Sequence, residues 1–236
     1  MSKKLTVYHQ CFNNKKATEF AIKNFKQHNP NIDYYLVSDG GEDFSEIAKK
    51  YSCNYIFEKN NIGMDYYTVD QAHQIINRLK TCAINSSSEY LLLMEDDVLC
   101  RKKFNLDTNI DLAGVDSPGN IIPNEVLDYL SKKYNVFPNI NWYNACGGTV
   151  LNTEILLNKF DLIKKFINED HDYIVKNLSG KKYNFGYGSM DQLLVLIYFV
   201  CGKKVTVNQQ LTEYRRNPNW MNSDHALVHQ YKEQYV

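Results

Sequence analysis

The stretch Leu91-Leu92-Leu93-Met94-Glu95-Asp96-Asp97 carries an apolar run straight into three acids. Acids on an ordinary surface need no such approach, so the run reads as a central strand with carboxylates at its tip. Alternation along a strand puts Glu95 and Asp97 on one face and Asp96 on the other. Two carboxylates at i and i+2 can converge on one cation. Hard divalent ions such as Mg2+ or Mn2+ favour oxygen ligands, and Mg2+ sites combine one or two carboxylates with substrate phosphates. The plain alternative, a solvated turn, is disfavoured by the buried approach. A fourth acid, Asp191, falls in the first turn of an apolar helix opened by Ser189-Met190-Asp191-Gln192, whose Ser and Gln have capping-box spacing. There it complements the helix dipole as readily as it could serve chemistry. Cys146-Gly147-Gly148-Thr149 predicts a tight turn into a strand.

Strands and helices that would position these groups alternate through the first half. Runs at Leu5–His9, Tyr34–Ser38, Asn54–Glu58 and Tyr90–Met94 read as strands. Between them, apolar residues at helical spacing mark Ala17–His28, Phe44–Tyr51 and Thr68–Asn85. This alternation predicts an α/β domain with a mostly parallel sheet flanked by helices, its ligands along the rim of strand C-terminal ends. On that rim stand His9-Gln10, Asp39-Gly40-Gly41, Asn60-Asn61-Ile62-Gly63 and the triple acid. Arg78, on the third helix, could contact the pocket but reads rather as a surface arginine. In the second half, 101–123 reads as a loop-rich connection, 124–134 as a helix, 154–178 as one or two helices, 189–200 as a buried helix and 205–207 as a short strand. The end of the chain, with Arg215, Arg216, Trp220, His225 and His229, reads as a basic, aromatic tail whose histidines lie on a mobile surface.

With 236 residues, the chain suits a single large α/β domain. Lys and Arg number 27 and Asp and Glu 27, a balance that argues against a broad nucleic-acid surface. No apolar stretch follows the N-terminal lysines and none is long enough to span a bilayer, so the expected location is cytoplasmic, in a host's cytoplasm if the gene is viral. The six cysteines show no CxxC pair and read as reduced thiols.

The order and strand-end placement of these motifs over residues 1–100 resembles the GT-A glycosyltransferases that carry a DxD-type acidic motif, particularly family-2-like inverting enzymes. The resemblance implies one GT-A domain, with 1–100 as its nucleotide-binding half and 101–236 as its acceptor half. It implies a nucleotide-diphosphate sugar donor, UDP being the commonest, and a glycan, lipid-linked or protein acceptor. Asp97 would hold Mn2+ or Mg2+, Glu95 would join it through water or reach the ribose, and His225 or His229 would be a third ligand or close over the diphosphate; His225 is the preferred one. His9, Gln10, Asp39, Gly63, Glu95, Asp96, Gly147 and Gly148 would line the donor site. Asp191 would be the base of an inverting reaction. Glu95 departs from the aspartate that many members carry. Two other readings compete. A nucleotidyltransferase would show a Gly-rich basic loop after the first strand, where His9-Gln10-Cys11-Phe12 stands instead. A non-catalytic nucleotide- or carbohydrate-binding module would keep the metal acids without needing Asp191.

Overall fold

The computed structural model describes residues 4–62, 68–116, 121–139, 141–178, 190–214, 217 and 219–232. Four parallel strands, β1 (Leu5–Cys11), β2 (Asp33–Asp39), β3 (Asn54–Glu58) and β4 (Tyr90–Met94), alternate with helices α1 (Lys15–His28), α2 (Ser45–Lys50) and α3 (Val69–Ser86). The first helix starts where the Asn14 side chain accepts from the Ala17 amide at 3.0 Å. Thr68, expected inside the third helix, is instead its cap and accepts from the Gln71 amide at 3.2 Å. Such caps satisfy amides that the first turn leaves without helical partners.

The strands join β6 (Leu112–Gly114), β7 (Val150–Asn152) and β8 (Val205–Val207) in a seven-stranded sheet of order β3-β2-β1-β4-β7-β6-β8. Within it β7 runs antiparallel to both neighbours, and the other pairings are parallel. Alternating side chains feed two cores. Leu91 and Leu93 face helices α3, α4 (Asn124–Tyr134), α5 (Glu154–Asn158), α6 (Phe160–Leu178) and α7 (Met190–Val200). Tyr90, Leu92 and Met94 face α1 and α2. Residues buried on both faces explain why β4 reads as an unbroken apolar run.

Two segments differ from expectation. The connection expected at 101–123 contains β6, the expected mobile tail contains β10 (Leu227–His229), and β9 (Leu211–Glu213) lies just before that tail. The last two join β5 (Leu99–Cys100) in a second sheet of order β5-β10-β9. β5, β6, β9 and β10 are too short to show a period of two, so tertiary pairing reveals them, whereas β8, equally short, lies where 205–207 is read as a strand. Arg78 is also corrected: it is buried, not on the surface. No described helix is long and apolar enough to cross a membrane.

Candidate active site

The backbone leaves β4 at Met94, and residues 95–97 form a turn in which the Val98 amide donates to Glu95 O at 3.1 Å. Glu95 and Asp97 therefore converge because the chain turns, rather than by strand alternation as expected. Asp96 points away, as expected, toward α1. Its Oδ1 accepts from Thr18 Oγ1 at 2.7 Å and pairs with His9 Nε2 at 3.0 Å. The other His9 nitrogen meets the Tyr34 hydroxyl at 2.7 Å, and the ring is wholly buried. His9 and Asp96 thus anchor the acidic turn from behind.

The third member of the cluster comes from the C-terminal strand. The β5–β10 pair is antiparallel, with Leu227 opposite Cys100 and Val228 opposite Leu99. Moving backward from 99 toward 95 therefore means moving forward from 228, which delivers His229 to the acids. The Tyr231 amide closes the approach on Asp97 O at 3.0 Å. His229 Nε2 lies 3.3 Å from Glu95 Oε2 and 3.7 Å from Asp97 Oδ1. His225, the ligand preferred from the sequence, sits before β10, where Arg101 N bonds Ala226 O at 2.8 Å, and is not part of the cluster. The same antiparallel register that brings His229 in carries His225 away. Lys232 Nζ reaches Asp97 Oδ2 at 3.5 Å.

Electrostatics of the three groups are interlocked. Burial alone would raise the Glu95 carboxyl, but the imidazole bonded to it holds it below the usual range. Burial and the neighbouring Glu95 charge push Asp97 up, with His229 and Lys232 opposing. Burial would lower His229, yet the Cys146 thiol and the Glu213 and Glu95 carboxylates raise it well above its usual value.

Small residues let these groups approach. A Cβ on Gly147 would stand 2.6 Å from Val98 Cγ2 and 3.1 Å from the Glu95 carboxyl carbon. Gly148 has φ +95°, and a Cβ there would meet Leu211 at 2.5 Å. Gly147→Ala is expected to displace Glu95 and weaken divalent-ion binding by about tenfold or more, roughly 1.4 kcal/mol, read by titration calorimetry with Mn2+. An unchanged affinity would mean that Glu95 is not a ligand. Asp191, in the first turn of α7, lies close enough to Cys146 for its charge to raise that thiol. The same thiol also interacts with His229.

A second group of expected residues gathers at the end of β2. Asp39 is buried and pairs with Arg78 Nη1 at 2.6 Å. Gln10 Nε2 donates to Asp39 Oδ2 at 3.0 Å and the Ile62 amide to Asp39 Oδ1, also at 3.0 Å. Asp39 and Gln10 are therefore neighbours on the rim, and Arg78, read from the sequence as a surface group rather than a pocket contact, neutralises the acid. Gly63, Ser189, Arg215 and Arg216 lie outside the described residues. Clefts of about 520 and 530 Å3 lie at the opposite end of the strands, around Tyr90 and around Leu5.

One ligand atom each from Glu95, Asp97 and His229 lie within 4.8 Å of one another. Asp97 Oδ1 is buried and accepts no hydrogen bond among the described residues. A buried, unsatisfied carboxylate oxygen is costly unless something binds it. Two carboxylates and one imidazole suit a divalent cation, Mn2+ better than Mg2+ because of the nitrogen donor. The residues present therefore fit a metal ion.

No protein-family model and no curated protein matches the sequence. Solved structures do match. The galactosyltransferase LgtC, in complex with donor and acceptor sugar analogs, superposes with a TM-score of 0.50 at 16% identity, over 95% of this chain and 86% of its own. An active-site mutant of LgtC gives 0.54 at 14% identity over the same shares of the two chains. The chain has the GT-A fold. A glycosyltransferase involved in glycosylation of the major capsid of PBCV-1 aligns over 98% of this chain and 96% of its own, with a TM-score of 0.48 and 13% identity; at that score it supports nothing further. On a GT-A sheet, the acidic turn after β4 and the rim at the end of β2 lie where open α/β sheets bind ligands.

Proposed function

We propose that the chain is a metal-dependent glycosyltransferase that moves a sugar from a nucleotide-diphosphate sugar, a UDP-sugar, to an acceptor hydroxyl with inversion. The observation that carries this reading is the convergence of Glu95, Asp97 and His229 at the ligand-binding rim of the sheet. The GT-A fold, shared with a galactosyltransferase solved with donor and acceptor sugar analogs, supports the sugar-transfer part of this reading.

Asp97, Glu95 and His229 would hold Mn2+ or Mg2+, which when bound supplies a Lewis acid for the leaving diphosphate. Lys232, beside Asp97, adds a positive charge where the diphosphate's charge develops. Gln10 and Asp39, on the first half of the chain, face the nucleoside, and Arg78 keeps Asp39 fixed. Gly147 and Gly148 leave room for the sugar and phosphates to approach the backbone. Asp191 accepts the proton of the acceptor hydroxyl, which attacks the anomeric carbon through an oxocarbenium-like transition state. Residues 1–100 thus supply the nucleoside side and two metal ligands, while 101–236 supply Asp191 for the acceptor together with His229, Lys232 and the two glycines beside the diphosphate and sugar.

The test is a panel of nucleotide sugars incubated with the protein and Mn2+, read by nucleotide release and by the anomeric configuration of the product. Release from a UDP-sugar that stops on adding EDTA is expected. No binding or release from any donor overturns the proposal. Asp191→Asn is expected to remove turnover and spare donor binding. If no catalysis is seen while metal-dependent donor binding persists, the chain is a binding module instead.

A further inference from the structure

His229 offers Nε2 to Glu95 and Asp97, so its other nitrogen faces away from the acids. Nδ1 is buried, accepts or donates no hydrogen bond among the described residues, and lies 3.7 Å from Glu213 Oε1. Parallel pairing sets His229 of β10 directly opposite Glu213 of β9. Both residues are over nine-tenths buried, Glu213 at 5% and His229 at 7% relative exposure. The rest of β9 is Leu211 and Thr212, and Leu211 belongs to the apolar core, so an acid stands out at the strand's end. A buried carboxylate is costly to keep in a core.

Metal ligation demands a particular state of imidazole. The nitrogen that binds the cation must be free of its proton, so the proton must sit on the other nitrogen. Ligating histidines commonly donate that second N–H to a carboxylate, which fixes tautomer and ring orientation and strengthens the ligand. The gap of 3.7 Å exceeds a hydrogen bond. A shift of about 0.5 Å of either side chain would bring the pair within hydrogen-bond distance.

We propose that Glu213 is a positioning residue of the metal site: its carboxylate accepts a hydrogen bond from Nδ1–H of His229 and so presents Nε2 to the cation. The proposal deepens the metal-dependent reading of the site and rests on it. Glu213 touches neither the cation nor the substrate; it acts only through His229. This role also gives a reason for the parallel β9–β10 pair near the end of the chain, since that pairing puts an acid behind the histidine.

The experiment measures Mn2+ binding to the full chain, without donor, by titration calorimetry and by electron spin-echo spectroscopy of the nitrogen coupling to bound Mn2+. Wild-type protein is expected to bind one Mn2+ with an imidazole nitrogen coupling that disappears in His229→Ala. Glu213→Gln keeps the shape but cannot accept the proton in the same way; it is expected to lose about 10- to 100-fold in affinity and to weaken or lose the nitrogen coupling. Glu213→Asp should recover part of both. Melting of each variant in EDTA separates positioning from folding, because a merely structural role would lower the melting temperature without changing the coupling. Wild-type affinity and coupling in Glu213→Gln would overturn the proposal while leaving the metal reading intact. Absence of Mn2+ binding to wild-type protein would overturn both.

Discussion

Asp97→Asn is expected to abolish divalent-ion binding and, in metal-free protein, to raise the melting temperature at neutral pH. The two effects have one cause. Asp97 is 8% exposed, its Oδ1 accepts no hydrogen bond among the described residues, and Glu95 stands across the cluster. Burial and the Glu95 charge raise its carboxyl. A carboxyl raised by folding favours the folded state below its ordinary range and disfavours it as pH climbs through the raised value. Asparagine removes that penalty, so the gain should show at neutral pH and shrink toward acid pH, where wild-type Asp97 is already protonated. Each kcal/mol relieved is worth about 2–4 °C in a chain of this size. Mn2+ at about a hundred times its dissociation constant should stabilise wild-type protein by about 2.7 kcal/mol and leave the variant unmoved. Turnover with a nucleotide sugar should fall by about a thousandfold or more, since metal assistance is worth several kcal/mol of transition-state stabilisation. Scanning calorimetry with Mn2+ and with EDTA checks the pair of signs. A variant that still gains stability from Mn2+ would show that Asp97 is no ligand.

Glu95 predicts the opposite dependence for the metal-free site, whereas His229 runs in the same direction as Asp97. With Glu95 lowered, the stabilisation it gives is lost as pH falls through its folded value. Raised His229 stabilises below its ordinary value, and that contribution is lost as pH rises through the raised one. The charged pair is therefore most favourable between those limits.

Arg78→Ala is expected to be the most destabilising single change on the donor side of the sheet. The guanidinium meets Asp39 at 2.6 Å, with the two side chains 7% and 2% exposed. It also donates to Asn60 O at 2.9 Å, tying the end of β3 to the same point. Removing one partner of a buried pair leaves an uncompensated charge and costs about 3–5 kcal/mol, or roughly 6–20 °C in melting temperature at the same slope. Asp39→Asn added to Arg78→Ala should return part of that loss, because the stranded charge is gone. Urea unfolding of the single and double variants measures the coupling. A loss under about 1 kcal/mol for Arg78→Ala would mean the pair behaves as an exposed one.

Much of the donor half is legible in the amino-acid order alone. β3 and β4 lie where their residues place them, and α1, α2 and α3 begin and end within two residues of expectation. That legibility comes from length: elements of five or more residues, buried on one or both faces, repeat their pattern often enough to be read. The pointing of Asp96 away from Glu95 and Asp97 is legible for the same reason, although a turn rather than a strand delivers it. Asp39, Gln10, Gly147 and Asp191 also stand out in the sequence, because glycines and polar groups at element ends are local signals.

What the chain order could not reveal are pairings across large separations. Arg78 reads as a surface arginine because its neighbours in sequence are helical; only the packing of α3 on the sheet brings it to Asp39, 39 residues away. His225 and His229 are equivalent as types in a tail, and a choice between them depends on the register of a two-residue antiparallel pair. Glu213 gives no signal at all in the sequence, since its meaning lies in standing opposite His229 in a strand of three residues. Local pattern decides which elements exist, whereas the convergence of four charged groups from the β4 turn and two short strands is settled by long-range backbone pairing, whose energy no local stretch encodes.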